Sequence, residues 1–185
     1  MAVIEAISTT YMEAATTTVI QFGEGGDLLP TDYQHLQIRI SGKTVGTTYN
    51  DRIVVNFAYG ATPTFVTGTA YSYHYMMGHL GTTSAYAVTG ASGINFYYLN
   101  PSLSTYDVAN YSTHIIDILD YQNGSKNTTA TMIMGDAPAH TSVAGACFSS
   151  GMMDDVQAVT AVKLSSVYAY WSRGTEVSLY GIKSS

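Results

Sequence analysis

Cysteine is nearly absent from this chain: Cys147 is the only one in 185 residues. That excludes an intrachain disulfide and any zinc site built from several thiolates. Its setting, Ala144-Gly-Ala-Cys-Phe148, reads as a buried apolar thiol. Cations are scarce as well. Seven Lys and Arg stand against 13 Asp and Glu, a formal net charge of −6. With no basic stripe to neutralise phosphates, nucleic acid is not an expected partner. No apolar run approaches the roughly 20 residues of a helical membrane span, and Met1-Ala-Val-Ile-Glu5 lacks the cationic start of a signal peptide. The expectation is a soluble product with no membrane partner.

Catalytic signatures are missing too. There is no Gly-x-Ser-x-Gly elbow, phosphate loop or dinucleotide fingerprint, and 23–27 is a glycine cluster with no amphipathic helix after it, so it reads as a loop. His35, His74, His79, His114 and His140 are scattered without metal-ligand spacing. Within a strand, the spacing of Asp117 and Asp120 sends their side chains to opposite faces, so they do not form an acid–base pair. Asp154 and Asp155 alone leave most of a calcium shell unfilled. No enzyme activity, metal or cofactor is expected.

What is present in excess is strand-forming text. The chain carries 24 Thr and 16 Tyr, residues suited to a pleated, half-buried surface, while the strong helix formers are few. In 36–41, Leu36, Ile38 and Ile40 alternate with Gln37, Arg39 and Ser41, the period of a sheet with one buried face. The same rule places Ile53, Val55 and Phe57, then Ile116 and Ile118, then Val177 and Leu179 in the core. About ten short strands are expected, over 16–22, 31–40, 52–59, 71–77, 94–99, 113–121, 129–134, 143–149, 158–164 and 177–183. Asn123-Gly124 predicts a type I′ hairpin turn between the Ile115 and Met132 strands. Only 149–155 has turn or helical character, weakened by Gly151. No linker or repeat divides the chain. The fold class is all-β, a single-domain two-sheet sandwich over 16–185 with Greek-key or jelly-roll-like topology, and with 1–15 as an N-terminal segment or arm.

Aromatic side chains supply the candidate binding residues. Tyr71, Tyr73 and Tyr75 alternate along one strand face as a ladder that packs beside neighbouring strands or lines an interface. Trp171, in Tyr168-Ala-Tyr-Trp-Ser-Arg173, is either a core or interface anchor or a platform for a sugar ring.

Three segments carry a resemblance. Tyr33-Gln-His-Leu-Gln-Ile-Arg39, Ile116-Asp-Ile-Leu-Asp-Tyr121 and Val177-Ser-Leu-Tyr-Gly-Ile-Lys183, in this order, resemble a group of jelly-roll-like structural proteins in the virions of tailed bacteriophages. The likeness runs over about residues 16–183 and leaves the Tyr-rich middle, 71–111, unmatched. It implies a cofactor-free, non-enzymatic virion component made in the host bacterial cytoplasm. The role it implies first is capsid decoration or cement: a homo-oligomer, with a trimer as one arrangement, bound to other virion proteins and above all the major capsid protein. The alternative is a tail or fibre component that binds a receptor or glycan.

Overall fold

A computed structural model describes residues 3–45, 51–79, 82–99, 111–136 and 145–183. Among these, every regular element is a strand: β1 (Val3–Tyr11), β2 (Val19–Phe22), β3 (His35–Gly42), β4 (Thr44–Val45), β5 (Asp51–Tyr59), β6 (Thr64–Phe65), β7 (Tyr71–His79), β8 (Thr82–Ala91), β9 (Ile94–Leu99), β10 (Ser112–Leu119), β11 (Thr129–Asp136), β12 (Gly145–Met153), β13 (Val159–Ser166), β14 (Tyr170–Trp171) and β15 (Glu176–Lys183). They form an eight-stranded sheet in the order β1-β15-β3-β10-β11-β12-β7-β8 and a five-stranded sheet built around β13 and β5. All pairings are antiparallel. The all-β, jelly-roll-like sandwich expected from the alternation is the fold of the chain.

Alternation places the core because each strand of the large sheet has one face turned to the small sheet. One inward row runs Leu179, Ile38, Ile116, Met132, Ser149 and Tyr75 across six adjacent strands. Facing it are Ile20, Phe22, Val55, Phe57, Val162, Leu164, Ile94 and Phe96 of the small sheet, in one continuous apolar cluster. All ten side chains assigned to the core by period-2 reading are at most 1% exposed. β14 and β4 close one end of the sandwich, where Trp171 Nε1 donates to Thr18 O at 3.1 Å.

Several local expectations are corrected. Residues 3–11 are no separate arm: they pair along β15 as the edge strand of the large sheet, with a bulge between Ala6 and Ser8. Thr82–Ala91 and three two-residue strands were not expected. The stretch 149–155 is neither turn nor helix up to Met153, because Gly151 lies inside β12 and gives the room its neighbours need. A Cβ there would stand 2.6 Å from Ile94 Cγ2 and 2.9 Å from Ser72 O. β10 and β11 do form a hairpin, but the loop runs from 120 to 128, too long for a two-residue turn. Positive φ falls on Asp120 (48°) and not on Gly124. Asn123 instead accepts a bond from Ser125 N, an Asx turn within the loop.

Candidate functional site

The four aromatic candidates are inside the sandwich. Tyr71 and Trp171 are 0% exposed, Tyr73 7% and Tyr75 6%. Tyr71 Oη accepts from Phe57 N at 3.0 Å, and its ring meets the Phe57 ring at 6.4 Å. The ladder does sit on one face of β7, but that face is turned to the small sheet. These side chains therefore hold the two layers together: the packing reading of the ladder and the core-anchor reading of Trp171 hold, and the interface and sugar-platform readings are corrected.

The opposite, outward face of the same strands carries the exposed apolar surface. Antiparallel register sets Ile115, Ile133, Phe148, Met76 and Ala85 side by side across β10, β11, β12, β7 and β8. At ~4.8 Å between strands, the row spans about 19 Å. Ile133 is 63% exposed, Met76 60%, Phe148 42% and Ile115 38%. Such a contiguous row is unlike the scattered apolar residues of an ordinary surface.

Beside it runs a second row, Gly135, Ala146 and Gly78, in neighbouring register. A Cβ added at Gly78 or Gly135 would meet nothing within 4 Å. The absence of side chains here recesses the surface into a groove of about 710 Å³, lined among others by Met76, Ala85, Ile133 and Phe148. On the other flank, Ser72, His74, Thr129, Ser150 and Met152 border a smaller groove of about 250 Å³.

Charge is distributed to match. From Ile53 to Tyr106 the chain has no Asp, Glu, Lys or Arg, and from Thr129 to Met153 only Asp136. The half of the large sheet made by β11, β12, β7 and β8 is thus almost free of formal charge. The ion pairs of Lys183 lie at the other end. Lys183 Nζ contacts Glu5 Oε2 at 3.1 Å and Asp32 Oδ2 at 3.2 Å, and Tyr33 Oη donates to Glu5 Oε2 at 2.8 Å. The hydrogen bond from Tyr33 holds the Glu5 carboxyl below its usual range, and the bond to Glu5 raises Lys183. These groups fasten β1 to β15 and leave the apolar half untouched.

The scattered polar candidates are structural as well. Asp120 follows the strand in a left-handed conformation, so strand alternation does not govern it; Lys126 and Gln34 donate to its carboxylate. The Lys126 bond, first, lowers its pKa. Asp117 accepts from Gln37 Nε2 across to β3 at 2.8 Å. Burial pushes the Cys147 thiol up, away from reactivity. His114 is fully buried, and its pKa is pushed down to about 4 by desolvation. Among the described residues no cluster of three or more His, Cys, Asp or Glu could hold a metal ion.

Alternation in β11 and β12 defines two faces but not which one is covered, so Ile133 and Phe148 could not be told from core residues. The long charge-free stretch is the sequence signal that locates this surface.

The site and fold define an antiparallel sandwich whose large sheet has an apolar, nearly charge-free outer face over β11, β12, β7 and β8. No protein-family profile matches the chain, and no curated protein is significantly similar to it. Among solved structures it is similar to a galectin, LEC-6, of Caenorhabditis elegans, with 8% identity over 95% of this chain and 96% of that one and a TM-score of 0.34. An alginate lyase in complex with alginate trisaccharide matches at 9% identity, 89% and 80% coverage and a TM-score of 0.29. A protein of unknown function from Shewanella oneidensis MR-1 matches at 7% identity, 98% and 77% coverage and a TM-score of 0.26. At these scores none carries a functional assignment.

Proposed function

We propose that this protein is a non-enzymatic structural component of a tailed-phage virion, a decoration or cement protein that fastens neighbouring subunits of the head shell. The observation that carries the reading is the apolar row Ile115, Ile133, Phe148 and Met76, which runs from β10 into the nearly charge-free outer half of the large sheet. Desolvating such a face costs little, and an apolar row beside a groove suits the core of a protein interface. The virion context comes from the resemblance of three strand segments to phage structural proteins. A protein that binds the assembled shell better than separated subunits stabilises the shell by mass action, and weak contacts multiply over many copies. The receptor-binding alternative loses support, because Trp171, its proposed sugar platform, is buried.

The test compares particles with and without the protein. Particles lacking it assemble but rupture at lower temperature or under milder osmotic shock, while adsorption to host cells is unchanged. Phe148→Asp, checked to melt like the parent, fails to restore particle stability because it puts a charge at the centre of the row. Particles that keep full physical stability but lose attachment would overturn the proposal in favour of receptor binding.

A further inference from the structure

An open sheet edge is a row of unpaired backbone donors and acceptors, and folded proteins protect it by charge, proline, bulges or short length. Three of the four edges here are protected in these ways. β1 has a bulge between Ala6 and Ser8 and carries Glu5, paired to Lys183. β2 has only four residues, and the far side of β5 is shared by two short strands, β6 with two residues and β9 with six. β8 differs. It has ten residues, Thr82-Thr-Ser-Ala-Tyr-Ala-Val-Thr-Gly-Ala91, with no charge and no proline, and among the described residues it pairs with β7 alone. Its one irregularity lies where Tyr71 and Tyr73 oppose Ala91 and Val88, leaving Thr82–Val88 regular.

From this we infer that β8 is a self-association edge: it pairs antiparallel with β8 of a second copy of this chain, joining two large sheets into one. Three features select a second copy over another partner. Neither β7 nor β8 contains Asp, Glu, Lys or Arg, so in a chain of net charge −6 this edge brings two copies together with no like charges opposed. The regular segment 82–88 is centred on Ala85, and a two-fold axis perpendicular to the sheet requires one residue to meet its own copy. Centring on Ala85 sets Ala85 opposite Ala85, and Thr83 opposite Ala87, small exposed side chains that do not clash. On the other face Tyr86, 57% exposed and stacked on Tyr75 at 5.3 Å, falls diagonal to its copy, within reach of a second ring. The apolar row ending at Ala85 then continues across the axis. The pairing is independent of the proposed function and stands or falls without it.

The test uses the full chain and two substitutions at one exposed position. Sedimentation across the micromolar range is expected to give a dimer, twice the 19.8 kDa of the chain. Ala85→Lys opposes two ammonium groups at the axis and yields a folded monomer with an unchanged far-ultraviolet spectrum, melting lower than the parent only by the stabilisation that dimerisation adds. Ala85→Cys forms an intermolecular disulfide under mild oxidation, because directly opposed residues of antiparallel strands have Cα atoms about 4.5–5.5 Å apart, within disulfide range. Thr113→Cys, equally exposed but in mid-sheet on β10, is the control and does not cross-link. A parent chain that stays monomeric, a dimer that survives Ala85→Lys, or Ala85→Cys cross-linking no faster than Thr113→Cys would overturn the inference.

Discussion

Stability should fall on acidification through one buried imidazole, and His114→Gln tests this. The ring is 0% exposed on the inward face of β10, between Ile40 and Met134 in the ladder. Its Nε2 lies 3.0 Å from Ser112 Oγ, while Nδ1 has no hydrogen-bond partner among the described residues. Nothing charged is in place to compensate a proton, so desolvation lowers the pKa from 6.5 to about 4. The unfolded chain therefore binds a proton near pH 6.5 that the folded chain refuses until about pH 4. Stability is complete above pH 6.5 and is lost as pH falls through this window. At about 1.4 kcal/mol per pH unit, the full loss approaches roughly 3 kcal/mol. Glu5 and Asp120, whose pKa values are also lowered, are both partly exposed and lose stability in the same direction only at the acid end. Urea unfolding followed by the fluorescence of Trp171, the only tryptophan, gives the measurement. The parent should lose most of this stability between pH 6.5 and 4.5. His114→Gln starts lower at pH 7 but has a nearly flat profile over the same range. Equal slopes in parent and variant would refute the assignment of this pH dependence to His114.

Phe57→Ala, which empties a 0%-exposed site between the sheets, should cost about 3–5 kcal/mol in urea unfolding, whereas Ile133→Ala on the outer face should cost under about 1 kcal/mol. A small loss at Phe57 would mean the wrong face of β5 has been placed inside. Asp51→Ala removes the carboxylate oxygen that accepts from the amides of Arg52, Val167 and Tyr168 at 2.8, 3.0 and 3.1 Å. Orphaning these donors should cost about 3 kcal/mol; Asp51→Asn, which keeps an acceptor there, recovers most of it, and equal losses in the two variants would contradict this role.

The strand identities and the core were legible in the chain because both depend on local alternation. A period of two puts Leu36, Ile38 and Ile40 on one side of β3 whatever lies nearby, and where a strand has one apolar and one polar side the apolar side is the one covered. The loop at 23–27 was legible for a similar reason: Gly23, Gly25 and Gly26 adopt positive φ, which glycine does without strain. Local rules failed where the choice depended on distant residues. Both faces of β7, β11 and β12 carry apolar side chains, so burial of Tyr71, Tyr73 and Tyr75 and exposure of Met76, Ile133 and Phe148 were decided by where β5 and β9 pack. Residues 3–11 became a strand only because β15, more than 160 residues later in the chain, offers them a ladder. Asp120 escaped the parity rule because the strand ends one residue before it. The sequence by itself determined ten of the strand segments and which side chains alternate together in them. Only the tertiary structure decided which face meets water and which edge is left without a partner among the described residues, since those depend on pairing between segments that alternation cannot relate.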